Sequence, residues 1–168
     1  MKKLLAAIAM VFCLIGTSVA QDMKFGHINS SELLQAMPES KKVQQDLEAY
    51  ARQLESQMTT MSSEYQAKVT EYQTNEQVWG DIVLESKMRE ISDLEKRIQE
   101  FQQQAQGSLS KKEQQLFQPL LDKAQKAIDE VAKANGYGYV FDTSTGAIVH
   151  YPDGNDLLPL VKKHLGIQ

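Results

Sequence analysis

The sequence predicts a mainly α protein: a small β-containing body carrying a long antiparallel helical-hairpin arm. Three observations carry that prediction. Apolar residues recur at helical spacing through most of the middle of the chain. That pattern breaks once, around Asn75, Gly80 and Asp81, and short strand-like runs are confined to the two ends.

The elements follow in order. Lys2 and Lys3 precede the apolar run from Leu4 to Ile15, and Ser18 and Ala20 supply the small residues that signal peptidase needs before Gln21. Residues 1–20 therefore read as a secretory signal, with an uncleaved anchor as the weaker reading because the run is short for a bilayer. Cys13, the only cysteine of the 168 residues, leaves with it. Its neighbours lack the small residues that precede a lipoprotein cysteine. Cleavage takes two lysines and no acid, which moves the net charge from -4 to -6.

Residues 23–28 alternate enough for a short strand, Ser30 or Ser31 can cap a helical segment through Met37, and Pro38 suits the first turn of a longer helix. On that helix Val43, Leu47, Tyr50, Leu54, Met58, Met61, Tyr65, Val69 and Tyr72 cover 29 residues in eight steps, or 3.6 per step. This lies between the heptad and hendecad values, so the pair supercoils weakly. The return begins near Asp81 and repeats the stripe from Leu84 to Leu109 and again from Leu116 to Val131, with an interruption at Lys112 and Glu113. Length matching places Pro119 as a kink where the returning helix enters the body, and Asn135-Gly136 ends it. Two further strands are expected at 137–141 and 147–151, joined as a hairpin by 142–146. Asp156 caps a last helix over 157–165, with Lys162, Lys163 and His164 in its final turn and Gly166 after it.

The organisation expected is thus a signal at 1–20, an oligomerisation body from 21–38 and 119–168, and an arm from 39–118 with its tip near 75–82. Two antiparallel helices bury one seam and enclose no core, and the body is small, so a homo-oligomer sharing its strands is expected.

Chemistry-bearing patterns are sparse. One cysteine and three histidines leave no zinc set, and no metal or other cofactor is expected. His27, His150 and His164 lie far apart in sequence, although strand pairing can bring the first two together. Gly136-Tyr137-Gly138 lacks the lysine and strand–loop–helix context of a phosphate loop. Asp142 and Asp153 read as turn residues. Asn29-Ser30-Ser31 matches a glycosylation acceptor, but helix capping accounts for it. The acidic balance gives no reason to expect a nucleic-acid ligand. A non-enzymatic binding role is left.

Phe25-Gly26-His27-Ile28-Asn29-Ser30, Glu32-Leu33-Leu34, Met37-Pro38-Glu39, the polar helical hairpin, Gly138-Tyr139-Val140-Phe141-Asp142 and Asp156-Leu157-Leu158-Pro159-Leu160-Val161-Lys162-Lys163 together resemble the Skp/OmpH family of periplasmic chaperones for outer-membrane proteins. The likeness spans essentially the whole mature chain. It implies a homotrimer whose arms surround a cavity, holding unfolded β-barrel precursors without ATP. It also implies trimerisation on Phe25, Ile28, Val140, Phe141, Ile148 and Val149, with client contact on the inner arm surfaces and tips. Familiar enterobacterial members are strongly basic, whereas this chain is acidic, so attraction to acidic clients or anionic lipid does not carry over.

Methionine is flexible and polarizable, and aromatic rings offer large faces with polar edges, so Met58, Met61, Tyr65, Tyr72 and Trp79 suit variable client contacts. For Met58, Met61 and Tyr65 two readings stand, hairpin seam or client surface. Val78, Trp79 and Ile82, at a tip with few neighbours, suit client contact or transient contact with a membrane surface. The Gln-rich run 99–106 reads as solvated helix, and Gly107-Ser108 as a point of bending or a tolerated weak spot. A periplasmic protein, soluble after signal cleavage, is expected. The alternative is a coiled-coil adaptor or spacer that binds one folded envelope partner.

Overall fold

In the computed structural model, residues 23–167 are described; the signal expected at 1–20, with Cys13, lies outside them. Strand β1 (Lys24–Ile28) leads into a short helix α1 (Ser30–Ala36), then the long helices α2 (Pro38–Asn75) and α3 (Asp81–Ala134). Strand β2 (Tyr137–Asp142), a 3-10 turn (Asp153–Asn155) and helix α4 (Leu158–His164) complete the chain.

The start of α1 is capped one residue earlier than expected. Asn29 Oδ1 accepts the Glu32 N–H at 3.1 Å, which satisfies one of the first-turn donors. Ser30 is thereby free for another bond, described below. Met37 separates α1 from α2 in extended conformation, and Pro38 opens α2, where its missing N–H leaves no donor wanting. Ser40 Oγ donates to the Leu34 carbonyl, tying the first turn of α2 to the end of α1.

Helices α2 and α3 run antiparallel, as their cross-contacts require. Glu39 pairs with Lys123, the Lys112 ammonium lies 5.7 Å from the Tyr50 ring centre, and Lys68 meets Glu90 at 2.8 Å. At about 1.5 Å per residue the 38-residue α2 extends roughly 57 Å and the 54-residue α3 roughly 81 Å. Helix α3 therefore outruns its partner and carries its last turns into the core. Pro119 does not end the helix, which is continuous from Asp81 to Ala134. Its last turn closes on Asn135, whose N–H bonds the Val131 carbonyl, and on Gly136 at φ +71°, the left-handed conformation that glycine adopts freely.

The core forms where Ile28, Leu33, Met37, Leu157 and Val161 converge on Leu120, Ala124, Ala127 and Val131 of α3. Alanine at 124 and 127 lets neighbouring elements approach the helix closely. Helix α2 contributes no fully buried residue, because it packs on α3 and, at its start, on α1.

The two strands pair in parallel, Phe25 opposite Tyr139, His27 opposite Phe141 and Ile28 opposite Asp142. The third expected strand, 147–151, is not one: this segment has no regular structure, and 142–146 does not join a hairpin. The second edge of β1 is met by Asp156 beside His27, with the Leu157 N–H donating to the His27 carbonyl at 2.9 Å. Among the described residues no strand pairs with the outer edge of β2, and residues 147–151 do not take it up: alternation alone does not make a strand. The end of the chain follows expectation more closely. Asp156 Oδ1 accepts the Leu158 N–H at 2.9 Å, and Gly166, at φ +71°, closes α4.

Candidate functional site

Strand geometry decides which body residues are open. Successive side chains alternate between faces, so Phe25, His27, Tyr139 and Phe141 share one face of the sheet, and Ile28 and Val140 share the other. On the first face three rings stack, Phe25 to Tyr139 at 5.8 Å, Phe25 to Phe141 at 6.2 Å and Tyr139 to Phe141 at 6.5 Å, with planes within 20° of one another. Each ring is about half exposed. On the second face Ile28 is 2% exposed and Val140 packs partly against the core. Of the six residues expected at an oligomer interface, Ile28 is therefore used up inside the protomer. Tyr139, two residues before Phe141, lies on the same exposed face by the period-2 rule.

Beside the ring ladder the segment after β2 returns along β1. His27 Nε2 lies 2.9 Å from the Pro152 carbonyl, and since a carbonyl only accepts, the ring donates from Nε2. The Tyr151 ring leans on the His27 ring at 4.3 Å. This places Ile148, half-buried, and His150 around one hollow with Phe25 and Phe141, while Val149 is 96% exposed. His27 and His150 thus border a common hollow, although their segments do not pair as strands. Among the described residues no group of three or more His, Cys, Asp or Glu is placed to hold a metal.

A polar latch joins the end of β2 to the start of α1. Ser30 Oγ donates to Asp142 Oδ2 at 2.5 Å, and the Ser30 and Ser144 N–H groups donate to Asp142 Oδ1 at 3.2 and 2.9 Å. Burial pushes the Asp142 carboxyl up, but these hydrogen bonds outweigh it and hold the group below the usual aspartate range.

Along the paired helices, Met58, Met61, Tyr65 and Tyr72 are half-buried between exposed neighbours. Their cover comes from α3, so part of each side chain is spent on the pairing and part stays open. Leu94 is the fully buried residue of this stretch, at 3% exposed. At the turn between the helices Val78 and Ile82 are 78% and 86% exposed, and Val83 is exposed as well. Trp79 is half-buried, with the Lys87 ammonium 5.6 Å from its ring centre. Two cross-helix ion pairs, Lys68 with Glu90 and Lys87 with Glu71 at 3.3 Å, lie just behind the turn. The Lys68 hydrogen bond lowers the Glu90 carboxyl, and the reciprocal bond raises the Lys68 ammonium.

None of the described helices is long and apolar enough to cross a membrane. The surfaces left for function are an exposed aromatic ladder in the body, a half-open methionine and tyrosine stripe, and an apolar turn. A protein from Vibrio cholerae named chaperone protein Skp is 23% identical over 150 residues, covering 86% of this chain and 89% of its own. A solved structure from Caulobacter crescentus, described as an OmpH-like outer membrane chaperone, superposes with a TM-score of 0.75 at 15% identity, covering 85% of this chain and 83% of that one. At that identity the superposition speaks for the fold alone. The family model described as outer membrane protein (OmpH-like) matches residues 24–165, from the first strand through the last helix, and the chain belongs to that family.

Proposed function

We propose that the protein is an ATP-independent periplasmic holdase chaperone, which binds unfolded outer-membrane β-barrel precursors in a cavity between arms and prevents their aggregation. The observation that carries this reading is the pair of long helices ending in open apolar side chains, Val78 and Ile82, on a chain of the OmpH-like family. The chaperone name of the Vibrio relative supports it. In this reading 39–118 form the arm, with Met58, Met61, Tyr65, Tyr72, Val78, Trp79 and Ile82 as client contacts. Many weak apolar contacts hold chains of differing sequence better than one shaped pocket does. The body, 21–38 and 119–168, assembles a homotrimer through Phe25, Phe141, Ile148 and Val149, together with Tyr139. Three half-exposed stacked rings and an unpaired extended segment are surfaces that a second copy covers at low conformational cost.

The test dilutes a urea-unfolded β-barrel into buffer with and without the protein from Gln21 onward, with light scattering recorded as its concentration is varied. Suppression that saturates near one client per trimer is the expected result. No suppression of that barrel or of a second, unrelated one, with the helical protein intact, overturns the holdase reading in favour of an adaptor for one folded partner.

A further inference from the structure

The distal part of the paired helices, residues 64–97, holds eight acids and five cations. The two signs are not placed alike. Lys68 and Lys87 turn inward, their side chains 28% and 29% exposed, each clamping a carboxylate of the opposite helix. Arg89 pairs with Glu85 and Lys96 with Glu100. Among the described residues, Arg97 alone of these five cations has no carboxylate partner. Four acids, Glu76, Asp81, Asp93 and Glu95, are exposed with no ion pair, and Glu64, exposed too, feels Lys68 only electrostatically. From Thr74 to Ser86 there are three acids and no cation, and this stretch bears the open Val78, Ile82 and Val83. Ion pairs, two across the helices and two along α3, thus occupy four of the five cations and leave an apolar tip inside a negative collar.

Such a surface repels an anionic bilayer and attracts an apolar segment with cations beside it. We infer that the arm tips select unfolded client segments whose alternating apolar residues are flanked by Lys or Arg. The inference rests on the holdase reading and adds the charge class of the client. The collar lengthens the reach of the tip beyond contact distance, to about 8 Å at physiological salt. The apolar side chains then supply the affinity that survives when salt screens the collar.

The experiment measures anisotropy of two labelled peptides with the same alternating Val and Tyr core, one flanked by lysines and one by glutamates. The lysine peptide is expected to bind about tenfold more tightly at about 20 mM salt, and the two to converge at about 500 mM. Glu76→Gln with Asp81→Asn should shrink the preference, whereas Val78→Ser with Ile82→Ser should weaken both peptides and keep it. Equal binding at low salt by a protein that still suppresses barrel aggregation overturns the inference and leaves the holdase reading standing. Failure to suppress any barrel overturns both. Tighter binding to vesicles of three parts phosphatidylcholine to one part phosphatidylglycerol than to the lysine peptide overturns the inference in favour of a membrane surface.

Discussion

Gly26 occupies a place where a side chain has no room. A Cβ there collides with Leu157 Cδ1 and comes within 2.9 Å of the Tyr137 ring, and Leu157 is fully buried among packed neighbours. Gly26→Ala should lower stability by about 1–3 kcal/mol, read as a lower urea midpoint at unchanged slope. Asp142 supplies a prediction with a sign. Its folded pKa lies below its unfolded one, so the stabilisation is complete above the ordinary aspartate value of about 4 and is lost as pH falls through the lowered folded value. The difference in thermal midpoint between the native protein and Asp142→Asn should therefore be largest near neutrality and shrink below about pH 4. A difference that is constant with pH excludes the latch as its source. Ser30 and Asn29 show how local reading went astray at this point. Both are good caps by type, and the choice between them was settled by a carboxylate from the far end of the chain.

Elements whose stabilising contacts are near in sequence were legible, and those completed from a distance were not. The 3.6-residue stripe located α2 and α3, because the period is set within each helix and is legible without knowing what covers it. Leu94 and Met88 test how far the stripe ranks its own members. Both fall on it, yet Leu94 is 3% exposed and Met88 is 52% exposed. Leu94→Ala should cost about 2–5 kcal/mol, whereas Met88→Ala should change stability by less than about 1 kcal/mol, both measured by urea unfolding. Pro119 lies inside α3, which runs on through it, and the core residues of that helix begin at Leu120. The segment 147–151 has the alternation of a strand but pairs with neither strand, and a strand is a property of a pair. The resemblance implies trimerisation on both Val140 and Phe141, although adjacency in a strand puts them on opposite faces. The acidic collar also escaped notice, because net charge records how many charges there are and not which of them the helix pairing occupies.

In the whole molecule the exposed rings of the body are the surface that most needs a partner. Phe25→Ser together with Phe141→Ser should reduce the sedimenting mass toward that of one chain while far-UV helical signal persists. A native protein that already sediments as a single chain at micromolar concentration sinks the trimer proposal. The parallel sheet has a further consequence, for the order of events in time. Ser30 and Asp142, which lock that sheet to the first helix, stand 112 positions apart, whereas Glu71 and Lys87, beside the turn, stand 16 apart. By the logarithmic dependence of closure entropy on loop length, the longer loop costs roughly 1–2 kcal/mol more than the shorter one. Contacts of short separation form early and those of long separation late. A chain threaded into the periplasm amino terminus first thus presents β1 and its phenylalanine long before β2 arrives, while the helices can already be zipping from their turn. Phe25 waits unpaired until nearly the whole chain has emerged, so in the proposed homotrimer the copies match one another only after β2 has formed.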